Sequence, residues 1–152
     1  MTMKLTKHQQ EALSQVQHFL NEKATQLFVL RGYAGTGKTT LIGKVVDWLE
    51  QQKRPARLLA TTGRAAKVLQ NKTGRSVGTV HGCIYSFDEV SGQAEEGEQL
   101  QLNFALRNNQ TIDPNLVFII DEASMISHEK PRGDRQTARF GSGSLLHDLM
   151  DY

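Results

Sequence analysis

The chain has 152 residues, 38% of them hydrophobic and 22% charged, which is the length and composition of one ordinary globular domain. Its 18 basic and 16 acidic residues give a net charge of +2, which neither favours nor opposes a nucleic-acid partner. One cysteine excludes an internal disulfide framework, the five histidines lack metal-ligand spacing, and no apolar run is long enough for a membrane span, so we expect a cytoplasmic setting without a structural metal.

The first predicted elements are a helix, a strand and a second helix. Residues 6–22 predict a helix, because apolar residues recur at helical spacing and Thr6 with Gln9 fits a capping box. The apolar run 27–30 stands directly before a glycine-rich loop and predicts a buried parallel strand. Residues 39–51 predict a second helix, whose buried face is Leu41, Ile42, Val45, Val46 and Leu49.

The middle of the chain continues this alternation of strands and helices. Residues 57–61 predict a strand and residues 63–72 a helix, whereas residues 80–87 are compatible with either. The acidic segment 88–98 contains glycine and predicts a solvated excursion or a hairpin tip. Residues 116–120 are all apolar and predict the clearest buried strand of the chain.

The last part of the sequence changes in character. Residues 128–143 hold four Lys or Arg residues with glycine and proline and almost no apolar residue, which favours a mobile solvated loop over a loop that faces DNA. Residues 144–152 predict a short amphipathic helix. The order of elements predicts an α/β fold with a parallel sheet flanked by helices, formed by residues 1–127.

A glycine-rich loop carries the firmest chemical signal. Residues 32–39 match the pattern G-x-x-x-x-G-K-[ST] in full, between a predicted strand and a predicted helix. Gly35 and Gly37 allow the backbone to turn tightly and to aim its N–H groups at phosphate. Lys38 supplies positive charge to the β- and γ-phosphates, and the Thr39 hydroxyl suits Mg²⁺. The predicted ATP-binding residues of this loop are Gly32, Ala34, Gly35, Thr36, Gly37, Lys38, Thr39 and Thr40.

Two acidic residues follow the apolar strand 116–120. The carboxyl end of a parallel strand is where ligands bind, so Asp121 is expected to hold Mg²⁺ through water. Glu122 is expected to polarise the attacking water as a general base. The alternative is a pair of solvated acids at a strand end. Together with Lys38, these two residues are the predicted catalytic groups.

Taken in order, these segments resemble the superfamily 1 DNA helicases of the RecD/Dda type, which are P-loop NTPases with RecA-like domains. The similar segments are residues 5–9 (Q motif), 32–40 (motif I), 59–66 (motif Ia), 79–82 (motif Ib) and 120–124 (motif II). Motifs I and II mark any P-loop NTPase, whereas the string TTGRAAKVL followed by TVHG selects this family. The similarity spans most of residues 4–127.

The resemblance implies a motor domain that uses ATP and Mg²⁺ and moves 5′ to 3′ on single-stranded DNA, in DNA repair and recombination. Gln9 would read the adenine edge. The alternative is that Gln9 only completes the capping box with Thr6, although the two roles are compatible. The implied DNA contacts are Thr62, Gly63, Arg64, Thr79 and His81. Their alternatives are that residues 63–64 merely open a helix and that His81 is an ordinary structural histidine.

Two departures from the family pattern limit the resemblance. Thr62 stands where the family usually has proline, which is expected to relax the turn without removing its amides, so the DNA contact follows less strongly from the resemblance. The sequence also stops before a motif III and before a second RecA-like domain, which is the implied partner and would supply an arginine finger. We therefore expect an N-terminal fragment with a sheet that is incomplete at its C-terminal side and that does not unwind DNA alone.

Two other classes of protein remain open at this point. A different P-loop NTPase, such as a small kinase or a switch protein, would share residues 32–39 and Asp121 but would not need the TTGRAAK string. A truncated remnant that only binds nucleotide would share every motif and would not turn ATP over.

Overall fold

A computed structural model describes residues 4–22, 25–91, 101–108, 112–127 and 138–152 of the chain. Its helices are α1 (Lys7–Asn21), α2 (Lys38–Gln51), α3 (Gly63–Thr73), α4 (Val80–Ile84) and α5 (Leu145–Asp151), with a 3₁₀ turn at Ala123–Met125. Its strands are β1 (Ala56–Ala60), β2 (Val77–Thr79), β3 (Tyr85–Ser91), β4 (Gln101–Leu106), β5 (Val117–Asp121) and β6 (Ala138–Phe140). In this described part of the chain, no helix is both long and apolar enough to cross a membrane.

The first sheet is parallel and has the order β2-β1-β5. One face packs on α2 and α3, where Leu58 meets a buried cluster of Ile42, Val46 and Leu69. On the other face Leu59 joins a second cluster, which includes Val80, Ile84 and Tyr85. The sheet is therefore covered on both faces, and the predicted α/β fold of the RecA-like P-loop type is confirmed.

The second sheet has the order β3-β4-β6 and an aromatic core. β3 is antiparallel to β4, with a register shift between Phe87 and Glu89, and β4 is parallel to β6. The rings of Phe104 and Phe140 stack with centroids 4.6 Å apart, and Tyr85 lies 5.3 Å from Phe140. The predicted excursion over 88–98 is thus partly strand β3, and residues 92–98 lie outside the described residues.

The helix predictions agree with the structure more closely than the strand predictions do. The Thr6–Gln9 capping box of α1 is present, and α2 buries all five residues predicted for its face. The α1 face is packed only partly, since none of its residues is fully buried. The ambiguous segment 80–87 contains both element types, because α4 passes directly into β3.

The prediction of a buried strand over residues 27–30 is wrong. These residues form no strand, and the side chains of Leu27 and Val29 are 59% and 64% exposed. A buried parallel strand needs a hydrogen-bonded neighbour, and within the described residues β5 pairs with β1 alone. The segment is fixed from another side, where the ring of Phe28 packs 5.3 Å from that of Phe19.

Two further predictions need correction near the end of the chain. β5 forms where expected, but its residues are half-buried, because it is the outer strand of the described sheet. The loop predicted over 128–143 is wrong for residues 138–140, which form β6 because they complete a ladder with β4. Residues 128–137 lie outside the described residues. The predicted final helix is present as α5, with Ser144 as its N-cap.

Candidate nucleotide site and nucleic-acid edge

The glycine-rich loop has the backbone conformation that its glycines allow. Gly35 and Gly37 have φ of 79° and 81°, in the left-handed region that other residues adopt at a cost. A Cβ on Gly32 would lie 2.9 Å from Thr36 Oγ1, so this position needs glycine for space. The remaining predicted nucleotide-binding residues of this segment also lie in the loop or in the first turn of α2: Ala34, Thr36, Lys38, Thr39 and Thr40.

Lys38 closes the loop on itself. Its Nζ donates to the carbonyl oxygens of Gly32 at 2.7 Å and of Tyr33 at 2.8 Å. Thr36 Oγ1 donates to the same Tyr33 carbonyl at 2.8 Å. The ammonium group is therefore held at the mouth of the loop, and it has a third N–H for a phosphate oxygen.

Gln9 connects α1 to this loop. Its Oε1 accepts from Thr6 N at 2.9 Å, as the capping box requires, while its Nε2 donates to Thr36 O at 3.1 Å. A Cβ on Gly37 would collide with the same Nε2 atom. Since the amide can form four hydrogen bonds, one donor and one acceptor remain for an adenine edge. Capping and base reading are thus compatible for Gln9.

The residues present fit a nucleotide phosphate and its Mg²⁺. α2 begins at Lys38, and its N-cap, Gly37, has no side-chain capping bond. The first N–H groups of the helix are therefore free to meet an anion at the positive end of the helix dipole. The Thr39 hydroxyl forms no hydrogen bond with any described residue, which leaves its oxygen available for a cation.

Asp121 and Glu122 lie at the carboxyl end of β5. The Oδ1 atom of Asp121 accepts from the backbone N–H of Glu122 at 2.9 Å, which fixes the direction of the carboxylate. Glu122 is exposed and has φ of 54°, a left-handed conformation that is uncommon for a residue with a Cβ. Such backbone outliers cluster at functional sites. Within the described residues, no hydrogen bond or ion pair joins Lys38 to either acid.

The sheet register aligns the ends of three strands. Ala60 of β1 pairs with Thr79 of β2 on one side and with Asp121 of β5 on the other. The segments that follow these strands, 61–64, 80–82 and 122–124, therefore leave the sheet at the same edge. They connect further at Thr61, whose Oγ1 lies 3.6 Å from Met125 Sδ. The predicted catalytic acid and the predicted DNA contacts thus share one edge.

The residues after β1 are arranged around the start of α3. Thr62 is the N-cap of this helix, and its hydroxyl oxygen accepts from Ala65 N at 3.2 Å. Threonine therefore supplies a cap that proline lacks, and the expected relaxation of this turn stays a prediction. Gly63 and Arg64 are exposed in the first turn, and Arg64 forms no hydrogen bond or ion pair with a described residue.

Thr79 and His81 differ in what they offer to a ligand. Thr79 caps α4, with its hydroxyl oxygen accepting from Gly82 N at 3.1 Å, and lies at the edge just described. His81 packs its ring 5.0 Å from Phe140 and 5.6 Å from Tyr85. Burial lowers the pKa of His81, which favours its neutral form. His81 therefore brings no positive charge to a phosphate at neutral pH.

Sequence reasoning missed two features of β1 and of the residues that follow it. The capping role of Thr62 had a local signal, a threonine directly before a helical pattern. Arg57 in β1 also had one, since a charge interrupts an otherwise apolar strand. Its guanidinium lies 6.0 Å above the Phe118 ring and donates to Cys83 Sγ at 3.4 Å. Neither neighbour was detectable from sequence, because both are distant along the chain.

Comparison with known proteins agrees with this geometry. The profile of the AAA domain family matches residues 4–139, which is most of the chain. The chain belongs to the AAA domain family. Over 101 residues this AAA domain is also 34% identical to the ATP-dependent RecD2 DNA helicase of Deinococcus radiodurans. That alignment covers 66% of the chain but 12% of the relative, so the AAA domain spans a small part of the relative's length. The predicted resemblance to RecD-type P-loop helicases is confirmed.

Proposed function

We propose that the chain binds and hydrolyses ATP with Mg²⁺ as the N-terminal motor domain of a DNA helicase that moves 5′ to 3′ on single-stranded DNA. The observation that carries this proposal is the register row of Thr79, Ala60 and Asp121, which sets proposed DNA contacts beside a proposed catalytic acid. Similarity to a protein named as an ATP-dependent DNA helicase supports it. DNA repair and recombination are the processes in which such a motor would act.

Nucleotide binding is assigned to the loop and to α1. Lys38 donates to the β- and γ-phosphates, and the uncapped first turn of α2 surrounds them with N–H groups. Gln9 uses its remaining donor and acceptor on the adenine edge. Thr39 and Asp121 would hold Mg²⁺, which neutralises charge that builds up on the phosphates.

Hydrolysis is assigned to the end of β5. Glu122 accepts a proton from the attacking water, and Asp121 is oriented for its role by the Glu122 N–H. Because the aligned stretch covers 12% of the relative, we propose that unwinding needs a second RecA-like domain from the parent protein, which would contribute an arginine finger.

Single-stranded DNA is assigned to the edge formed after β1 and β2. Arg64 and the backbone around Thr62 and Gly63 contact phosphates, and Thr79 adds a hydroxyl. His81 shapes this edge by packing against Phe140. Such contacts bind the DNA backbone without recognising a base sequence, as a translocating motor requires.

The test measures thermal stability with Mg-ATP and with a thymidine oligonucleotide, for the wild-type chain and for Lys38→Ala. We expect ATP to stabilise only the wild type, by about 2.7 kcal/mol at one hundred times its Kd. We also expect the oligonucleotide to bind both proteins and to change the ATP affinity of the wild type. Nucleotide binding without any response to DNA would favour a kinase or switch protein, and no stabilisation by ATP would favour a remnant.

A further inference from the structure

A groove of about 460 Å³ lies where the first sheet meets α4, on the side of strand β2. Its lining includes Arg57, Ser76, Gly78, Thr79, Gly82 and Cys83. This volume lies within the range of small-ligand sites. The groove runs along β2 from Ser76 to Thr79, and Thr79 also belongs to the edge to which DNA contacts are assigned. We call it the Arg57 groove.

The charge of the Arg57 groove is positive. Arg57 donates to the Cys83 sulfur, a weak acceptor, covers the Phe118 ring and lies beside the Tyr152 side chain, and none of these three side chains is a carboxylate. Among the residues that the structure describes, no aspartate or glutamate lines the groove, and no carboxylate lies within ion-pair distance of Arg57. A second guanidinium borders the Gly82 end, where Arg107 donates to Tyr85 O at 2.8 Å and to Gly82 O at 3.5 Å.

The rest of the lining combines small polar groups and accessible backbone with the apolar residues Ala56, Leu58 and Leu59. Thr79 Oγ1 accepts from Gly82 N, so the proton of this hydroxyl remains to be donated. The Ser76 hydroxyl forms no hydrogen bond with a described residue. Gly78 and Gly82 have no side chain to keep a ligand away from the backbone. A guanidinium with hydroxyl donors nearby matches the oxygens of a phosphate group.

We propose that the Arg57 groove binds a phosphate group, which is a backbone phosphate of the single strand held at Thr79 or a free phosphate. The DNA form of this proposal rests on the proposed function, since the strand would continue from the shared Thr79 into the groove. It adds Arg57 to the proposed DNA contacts and extends the proposed path from the carboxyl end of the sheet along β2.

Two substitutions test the groove in different ways. Arg57→Gln removes the charge and keeps a polar side chain, whereas Gly78→Val fills the groove and leaves Arg57 intact. Gly78 is suited to this purpose, because an added Cβ there meets only Leu59 Cδ2, at 3.4 Å. Valine also favours strands. The matched control is Lys72→Gln, which removes one charge from an exposed residue of α3. Melting temperatures establish that all variants are folded.

The measurement is the anisotropy of a labelled thymidine oligonucleotide across a salt series. We expect Arg57→Gln to weaken binding about five- to tenfold and to reduce the slope of log K against log[salt] by about 0.7. Gly78→Val should weaken binding with Arg57 still present, and Lys72→Gln should match the wild type. If the wild type binds the oligonucleotide and both groove variants bind it equally well, the DNA form of the groove proposal is overturned while the proposed function stands, and the phosphate titration described next decides the free-phosphate form.

A second arm separates the groove from the proposed function. If the wild type binds no oligonucleotide, the DNA function fails, and inorganic phosphate is titrated against chloride while the Arg57 Nε–H signal is followed by NMR. A phosphate-specific shift that is lost in Gly78→Val supports a free-phosphate site. The absence of any such shift overturns the proposal in both forms.

Discussion

Gln9 Nε2 lies 3.1 Å from the carbonyl oxygen of Thr36, so the side chain that completes the α1 capping box also holds the phosphate-binding loop. Within the described residues 25–32, no β-strand leads into this loop. The Gln9 amide is therefore one side-chain connection between α1 and the loop, and its two functions are separable by substitution.

Gln9→Glu is expected to keep the capping box and to lose the donor. Glutamate accepts from the Thr6 N–H as glutamine does, but it has no N–H for Thr36 O or for adenine. Stability should stay near that of the wild type, while the preference for ATP over GTP falls about fivefold, or roughly 1 kcal/mol. Competition titrations with both nucleotides measure this. Gln9→Ala should lose the cap as well, and equal base preference in all three proteins would disprove a role in base recognition.

Gly37→Ala is expected to disturb the nucleotide site in two ways, through backbone strain and through a steric collision. The left-handed backbone costs about 1–2 kcal/mol for a residue with a Cβ, and the new methyl collides with Gln9 Nε2. We expect ATP affinity to fall about tenfold or more, measured by calorimetry. Gly43→Ala is the matched control, because its Cβ meets no atom within 4 Å and alanine favours the helix interior by about 0.5–1 kcal/mol. Unchanged ATP affinity in Gly37→Ala would refute the loop geometry.

Thr62→Ala is expected to destabilise the chain by about 1 kcal/mol, because it removes the cap of α3. Thr62→Ser keeps the hydroxyl and should restore most of that loss. Thr62→Pro, which introduces the residue usual in the family, should not stabilise the chain, since φ at this position is −132° and proline requires about −65°. Urea denaturation followed by circular dichroism ranks the four proteins, and a proline variant above the wild type would contradict the cap.

Two substitutions of Glu122 separate the role of its carboxylate from the cost of its left-handed backbone conformation. Glu122→Gln and Glu122→Gly both remove the carboxylate, so both should abolish the proposed ATP hydrolysis. Only Glu122→Gly relieves the left-handed φ of 54°, and it should stabilise the isolated chain by up to about 1 kcal/mol over Glu122→Gln. Thermal denaturation and a phosphate-release assay give the two readouts. Hydrolysis by Glu122→Gln at the wild-type rate would remove Glu122 from the mechanism.

Asp148 is expected to make the second sheet sensitive to acid. Burial alone would raise the pKa of Asp148, but hydrogen bonds from Ser142 and from Tyr85 Oη outweigh it and hold the pKa below 3.8. A carboxylate with a lowered folded pKa stabilises the protein above its unfolded pKa. That stabilisation is lost as the pH falls from about 4 through the folded pKa.

The test compares Asp148→Asn with Asp151→Asn by urea denaturation at pH 7 and at pH 3. Asp148→Asn should cost about 1.5–3 kcal/mol at pH 7 and much less at pH 3. Asp151 is exposed and, among the described residues, forms an ion pair with His147 alone, so its replacement should cost less than about 1 kcal/mol at either pH. A loss at Asp148 that does not depend on pH would contradict the role of its charge.

Features with a local cause were predictable from sequence. The buried face of α2 follows from apolar spacing, and the capping box needs only Thr6 and Gln9 at their separation. The conformation of the phosphate loop likewise follows from the positions of its glycines. Each of these patterns is complete within a few turns of the chain.

Features that depend on distant partners were not predictable. Residues 27–30 have the composition of a buried strand, yet a strand forms only where a neighbour accepts its hydrogen bonds. Residues 138–140 show the reverse, since three residues of an otherwise polar stretch become β6 through their ladder with β4. The contact of Tyr85 with Asp148 joins residues 63 positions apart, which no local pattern encodes.

The register row of Thr79, Ala60 and Asp121 also sets the distance over which ATP hydrolysis would act on the DNA contact. Adjacent strands lie about 4.8 Å apart, so the residue proposed to hold Mg²⁺ and the residue proposed to touch DNA are separated by about 10 Å. The single intervening strand is buried over its last three residues and hydrogen-bonded on both sides. In the proposed motor, the nucleotide site and the DNA contact would therefore be connected directly through strand β1, with no further element between them.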